Sequence, residues 1–190
     1  MNQSSFLKVD FSSLPRPDDD GLAVHLTGAA VPTVVLEATD GTRIDLASQP
    51  GRLVVYAYPL SGRPGSPLPD GWDSIPGARG CTPESCGFRD HFTQIKDAGA
   101  TRVFGLSTQD TTYQREAAQR LELPFPLLSD ASLQLASALR LPTMEIDGRT
   151  LLKRLTLVID SGRITKAFYP VFPPDRHAEE VLAWLEANRL

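Results

Sequence analysis

The sequence predicts an α/β sandwich built around a central mixed β-sheet. Three observations carry that expectation. Apolar β-branched runs alternate with amphipathic segments through the middle of the chain, a hairpin followed by a helix closes it, and no internal repeat breaks the order. With 190 residues, 41% of them hydrophobic and 22% charged, the chain is long enough for one domain with its own core.

Residues 1–30 are polar and turn-rich, with PRPDDDG at 15–21, and are expected to form a loosely held N-terminal arm. A single domain is expected over 31–190. Its first elements are TVVLEA (33–38) and RIDLA (43–47), which flank the hairpin signal Asp40-Gly41. LVVYAYP (53–59) is a β-branched and aromatic run suited to a buried central strand. The next stretch, 61–80, packs five glycines and four prolines into twenty residues, so it predicts a long loop, of a kind that in a compact domain is usually functional or disordered.

A helix is expected after it, because Phe88, Phe92 and Ile95 fall at i, i+4 and i+7. Thr82 is its expected N-cap, Pro83 its first residue and Gly99 its C-terminal stop. RVFGLS (102–107) reads as another buried strand. A helix over about 111–121, a strand at 125–130 and a helix over about 131–139 follow. RLTLVID (154–160), Ser161-Gly162 and RITKAFYP (163–170) make a hairpin. Asp175 is positioned to cap a last helix with Ala178, Val181, Leu182 and Leu185 on one face.

The formal net charge of −4 argues against nucleic acid or an anionic membrane as partner. No apolar run reaches the roughly 20 residues of a membrane span, and the first residues lack the charged-then-apolar pattern of a signal peptide. The expected location is the cytoplasm, where thiols are mostly reduced.

Both cysteines lie in GARGCTPESCGFRDH (77–91). On one helix, Cys81 and Cys86 stand roughly 140° apart with about 7.5 Å of rise, hence about 8–9 Å between Cα atoms. A disulfide bridges at most about 7 Å. A static staple therefore fits poorly, whereas a pair that bonds when the first helical turn unwinds fits well. Metal binding also fits poorly: His91 follows Cys86 by five residues, and structural zinc uses shorter gaps and four ligands. A helix N-terminus and Arg79 would both lower the pKa of Cys81 and make it reactive. A small buried residue at a helix start explains it equally on local sequence alone.

YAYP, the loop, GCTPESC and FRDHF, followed by VFGLSTQD, LPFPLLSD and RLTLVID, resemble the peroxiredoxins, most closely the Q-type or bacterioferritin-comigratory-protein class. The resemblance runs from about Val31 onward. It implies a thioredoxin-like sandwich and thiol-dependent reduction of hydrogen peroxide and organic hydroperoxides, without a metal or other cofactor. It also implies a thioredoxin-like protein as reductant and a monomer or weak homodimer. By this resemblance Cys81 takes the place of the peroxidatic cysteine, Cys86 that of the resolving cysteine and Arg154 that of the arginine that contacts thiolate and peroxide.

The chain departs from the family pattern ahead of Cys81. The motif proline and hydroxyl positions, seven and three residues before it, hold Ser74 and Ala78. Pro59 looks like the displaced proline, with 61–80 inserted behind it. Ser61, Ser66 and Ser74 are then candidates for the missing hydroxyl, and Arg79 and Arg63 are lesser candidates for the cationic field. Two other functions suit the same fold. A thiol–disulfide oxidoreductase usually carries a tighter Cys-x-x-Cys pair. A redox sensor or binding protein would use the loop, and Trp72, as its partner surface.

Overall fold

The computed structural model of the chain describes residues 9–189. Nine strands form: β1 (Val35–Ala38), β2 (Arg43–Asp45), β3 (Arg52–Ala57), β4 (Ala100–Ser107), β5 (Leu127–Ser129), β6 (Thr143–Ile146), β7 (Arg149–Leu152), β8 (Leu155–Asp160) and β9 (Arg163–Phe168). Among them run α1 (Cys81–Asp90), α2 (Phe92–Asp97), α3 (Thr111–Arg120), α4 (Gln134–Leu139) and α5 (His177–Ala187). Seven strands make one mixed sheet in the order β2-β1-β5-β4-β3-β8-β9, while β6 and β7 form a separate hairpin. Only β3–β4 and β4–β5 run parallel. This is the thioredoxin-like mixed sheet, flanked by helices, that the sequence predicts.

The central strand shows why the sheet is covered on both faces. Every residue of β3 is buried, and its side chains alternate between the two layers with the period of two that a strand imposes. Leu53, Val55 and Ala57 enter one core with Phe104, Leu106, Leu128 and Leu157. Val54, Tyr56 and Tyr58 enter the other, with Cys81, Phe88, Ile95, Val181 and Leu185. A large apolar side chain buried in this way contributes roughly 1.5–3 kcal/mol, so α1, α2 and α5 are fixed to the sheet by that second layer.

Several local expectations change. The helix starts at Cys81, not Pro83; its N-cap is Gly80, not Thr82, at a φ of 115°, and no side chain caps it. Pro83 is thus the third helical residue, a place that still asks for no backbone donor, since the first helical bond runs from Glu84 N to Gly80 O (3.0 Å). The helix also breaks at His91, which ends α1 and precedes α2. Gly99, at a φ of 106°, follows α2 as expected. Asp175 lies in a 3-10 turn (Pro174–Arg176) and does not cap α5. The β6–β7 hairpin, absent from the sequence reading, turns at Asp147-Gly148.

Of the N-terminal stretch, residues 9–30 lie against the domain. Leu26 is fully buried and Ala30 bridges Arg163 of β9. Phe11 meets Phe172 edge-on with 6.3 Å between ring centroids. Asp20 accepts from Lys153 Nζ (2.6 Å) and from the Tyr169 hydroxyl (2.8 Å).

Candidate active site

Two backbone connections create the site. β3 pairs antiparallel with β8, ending at Ala57 opposite Leu155, so Arg154 sits beside the chain as it leaves β3. The inserted loop then returns to start α1 at Cys81, on the face carrying Tyr56 and Tyr58. Tyr56 stacks on Phe88 at 4.4 Å and 9°, and its hydroxyl lies 3.1 Å from Ser85 Oγ. These contacts hold α1 in register against β3.

Arg154 organises the first turn of that helix. Its Nη2 donates to Cys81 Sγ at 3.3 Å, to the Ala78 carbonyl at 3.2 Å and to the Arg79 carbonyl at 3.4 Å. Its Nη1 pairs with Glu84 Oε2. Cys81, Glu84 and Arg154 are all buried. The thiol in turn faces the Ala78 carbonyl at 3.7 Å. A guanidinium taken out of water like this is costly unless its donors are used, and Glu84, the sulfur and two carbonyls use two of its three nitrogens.

The electrostatics oppose each other. Burial pushes the Cys81 thiol above its ordinary value; Arg154 pulls it down, and Glu84 partly cancels that pull. Glu84 is likewise raised by burial against the pull of Arg154. Burial works against the Arg154 charge, but Glu84 and Cys81 together hold its pKa above the usual arginine value. The sequence expectation of a lowered thiol pKa is therefore overturned. Burial outweighs the pull of Arg154 at this sulfur, and the expected cation, Arg79, is turned toward Asp73 Oδ1 at 3.1 Å.

The other sequence-named residues distribute as follows. Cys86 lies on the same helix, is buried, and is a free thiol like Cys81; burial raises its pKa, with Arg89 opposing. Pro59 lies within the buried segment that follows β3 and does not line the cleft at Cys81, whereas Leu60 and Gly62 of the same segment do. Ser61 is committed elsewhere, its hydroxyl donating to Gln109 Oε1 at 3.0 Å. Ser74 sits in a 3-10 turn (Trp72–Ser74) and Ser66 in a different cavity. Arg63 lies over the Tyr113 ring, 4.7 Å from its centroid. Trp72 packs back among Leu60, Ala78, Ile146 and Leu151 instead of facing a partner. His91 meets Gln94 Oε1 through Nδ1 at 2.6 Å.

Sequence reasoning missed two residues. Glu84 carries the countercharge of Arg154, but an acidic residue in a first helical turn reads routinely as a complement to the helix dipole. Thr82 was assigned to capping, yet it is the one hydroxyl residue among those lining the Cys81 cleft.

The Redoxin family model matches residues 26–182, so the chain belongs to that family. It is 30% identical over 189 residues to the chloroplastic peroxiredoxin Q of Gentiana triflora, covering 96% of this chain and 79% of the relative. It is 32% identical over 196 residues to that of Populus jackii, covering 98% and 84%. Among solved structures, peroxidoxin BcpB of Mycobacterium tuberculosis superposes with a TM-score of 0.69 at 29% identity, over 86% of this chain and 98% of the other. Xanthomonas campestris peroxiredoxin Q gives 0.68 at 25%, over 87% and 98%. Within the redoxins the chain is a Q-type peroxiredoxin, an oxidoreductase with thiol-dependent peroxidase activity.

Proposed function

We propose that Cys81 is the peroxidatic residue, Cys86 the resolving residue and a thioredoxin-like dithiol protein the reductant. The observation that carries this reading is the Arg154 guanidinium, 3.3 Å from Cys81 Sγ in a buried site. In the first step the Cys81 thiolate attacks the terminal oxygen of ROOH and the O–O bond breaks. The leaving oxygen departs with the bonding pair and, once protonated, is ROH; Cys81 becomes a sulfenic acid. The Cys86 sulfur then attacks the Cys81 sulfur, water leaves, and a disulfide forms. Exchange with the dithiol restores both thiols and leaves the reductant oxidised.

Magnitude decides where the acceleration arises. A free cysteine is already a few per cent thiolate at neutral pH, so complete ionisation would gain only about 30-fold, and a buried thiol starts from less. Most of the effect must come from orienting the peroxide and stabilising the charge on the departing oxygen. Arg154 supplies the fixed charge, and Thr82 offers the hydroxyl that Ala78 lacks.

Peroxide consumption with excess dithiothreitol tests the assignment. Cys81→Ser is expected to be inactive, while Cys86→Ser keeps turnover with dithiothreitol and loses it when thioredoxin is the only reductant. A Cys81→Ser variant as active as wild type would refute the assignment.

A further inference from the structure

The family match begins at residue 26, and the stretch ahead of it runs as a strap from β9 to the reactive sulfur. At the root, Gly28 N donates to Ile164 O (2.7 Å) and Val31 N to Gly162 O (2.8 Å), and Leu26 is fully buried. Nearer the N-terminus, Asp20 is tied to Lys153 and Tyr169. Pro17 then lies against Gly77 of the inserted loop, where an added Cβ would meet Pro17 Cγ at 3.4 Å. Val9, the first described residue, lines the cleft of about 20 Å³ over Cys81.

Between these points Phe11 meets α1. Its ring is buried, edge-on to Phe172, and sits against Gly80, the N-cap of that helix. There is no spare room: a Cβ on Gly80 would fall 2.9 Å from Phe11 Cε1 and 3.1 Å from Cζ. The turn that presents the ring is capped locally. Asp10 Oδ1 accepts from Ser12 N (3.0 Å) and Ser12 Oγ (2.6 Å), closing the 3-10 turn Phe11–Ser13. Phe11 does not line the cleft itself, so its influence falls on the backbone of the first helical turn and not on the bound peroxide.

We infer that Phe11 is a positioning residue for the resolving step: packed on Gly80, it clamps the first turn of α1 and sets how long a Cys81 sulfenic acid waits for Cys86. This rests on the cysteine assignment proposed above. Opening the turn carries Gly80 and Cys81 away from the ring, so apolar surface buried in the closed helix returns to water. Complete burial of such a ring corresponds to roughly 10–100-fold in an equilibrium constant. The waiting acid has two fates. Attack by the Cys86 sulfur on the Cys81 sulfur forms the disulfide and releases water. A second ROOH instead transfers one oxygen to the Cys81 sulfur, giving a sulfinic acid and ROH. The first rate is independent of peroxide and the second is proportional to it. The clamp therefore sets the peroxide concentration at which the enzyme is lost.

Stopped-flow tryptophan fluorescence at several hydrogen peroxide concentrations separates the steps, because sulfenic acid formation scales with peroxide and disulfide formation does not. Cys86→Ser, which lacks the second step, identifies the two phases. Phe11→Ala is expected to leave the first rate unchanged and to speed the second by about tenfold. Mass spectrometry should then find that half-conversion of Cys81 to the sulfinic acid needs about tenfold more peroxide, in proportion to the faster resolution. Phe11→Leu, which keeps an apolar side chain against Gly80, should fall between wild type and Phe11→Ala in both readouts. Ile44→Val opens a small cavity in the opposite core layer; it should lower global stability and move neither readout. Disulfide rates equal in wild type and both Phe11 variants would overturn the inference, as would an Ile44→Val variant as fast as Phe11→Ala. It would also fall if Phe11→Ala accelerated sulfenic acid formation instead, because the strap would then be a lid over the cleft. A wild type that formed no Cys81–Cys86 disulfide would remove the cysteine assignment and this inference with it.

Discussion

Arg154 has two jobs at the level of the residue, and they can be separated. It is the positive neighbour of Cys81 Sγ and the countercharge of fully buried Glu84. Arg154→Met is expected to destabilise the fold by about 3–5 kcal/mol in urea denaturation, because it strands a buried carboxylate. Adding Glu84→Gln should recover much of that stability but none of the peroxidase activity. Recovery of both would make Arg154 merely structural. Thr82→Val, close in shape, should lower kcat/KM for hydrogen peroxide about tenfold with little change in stability, the loss expected of one hydrogen bond; an unchanged rate would remove Thr82 from the site.

Much of this chemistry is legible in the sequence, because GCTPESC is local and its spacing is short. Arg154 could be named only through the family resemblance; local sequence gives no reason to join residues 73 positions apart. Glu84 was not legible at all. A carboxylate in a first helical turn normally faces water, and only the tertiary burial of Arg154 turns it inward. The direction of the thiol shift was misread for the same reason, since burial is a property of the packed layer.

At the level of the element, α1 is the part of the molecule that the proposed cycle must move. Cys81 and Cys86 are both within it, so a disulfide requires its first turn to open. That opening is more costly than fraying of an exposed end, because residues 81–86 are all buried and Arg154 and Tyr56 both hold this turn. Tyr56→Phe keeps the stacking on Phe88 and removes the hydroxyl contact to Ser85. Disulfide formation after one equivalent of peroxide should then speed up by roughly 2–10-fold, corresponding to about 0.5–1.5 kcal/mol. Stopped-flow tryptophan fluorescence follows the step; an unchanged or slower rate would contradict the unwinding route. Gly80 matters for the same element. Its φ of 115° is left-handed, and an added Cβ would approach Phe11 Cε1 to 2.9 Å and crowd Pro174. Gly80→Ala should lower stability by about 1–3 kcal/mol.

Elements with strong periodicity were readable: β3, β4, α3 and the β8–β9 hairpin lie within a residue or two of expectation. The start of α1 was not, because Thr82 and Pro83 mimic a cap and first-turn pair while the backbone turn is made at Gly80. The β6–β7 hairpin carried a readable Asp-Gly signal, at φ values of 51° and 69°, that the short flanking strands made easy to pass over.

For the whole molecule, the buried acids tie stability to pH. Burial raises Cys81 above 9.0, and raises Tyr56 and Tyr58 well above 10.0. A group whose folded pKa is raised stabilises fully below its unfolded pKa, and that contribution is lost as the pH climbs through the folded value. The melting temperature should therefore fall as the pH rises above about 9. In Cys81→Ser the fall above pH 9 should be shallower, because the raised Cys86 thiol still acts there, and should steepen above pH 10, where the tyrosines act. Thermal unfolding by circular dichroism between pH 7 and 11 measures this, and identical profiles for the two proteins would contradict a raised Cys81.

The most direct test of the central claim is to follow the two sulfurs by mass spectrometry after one equivalent of hydrogen peroxide. In wild type a single intramolecular Cys81–Cys86 disulfide should form. In Cys86→Ser, dimedone should label a sulfenic acid at Cys81 alone, and in Arg154→Met/Glu84→Gln that labelling should be far slower. Dimedone labelling at Cys86 instead of Cys81, or a Cys81 that stays a thiol while peroxide is consumed, would contradict the account.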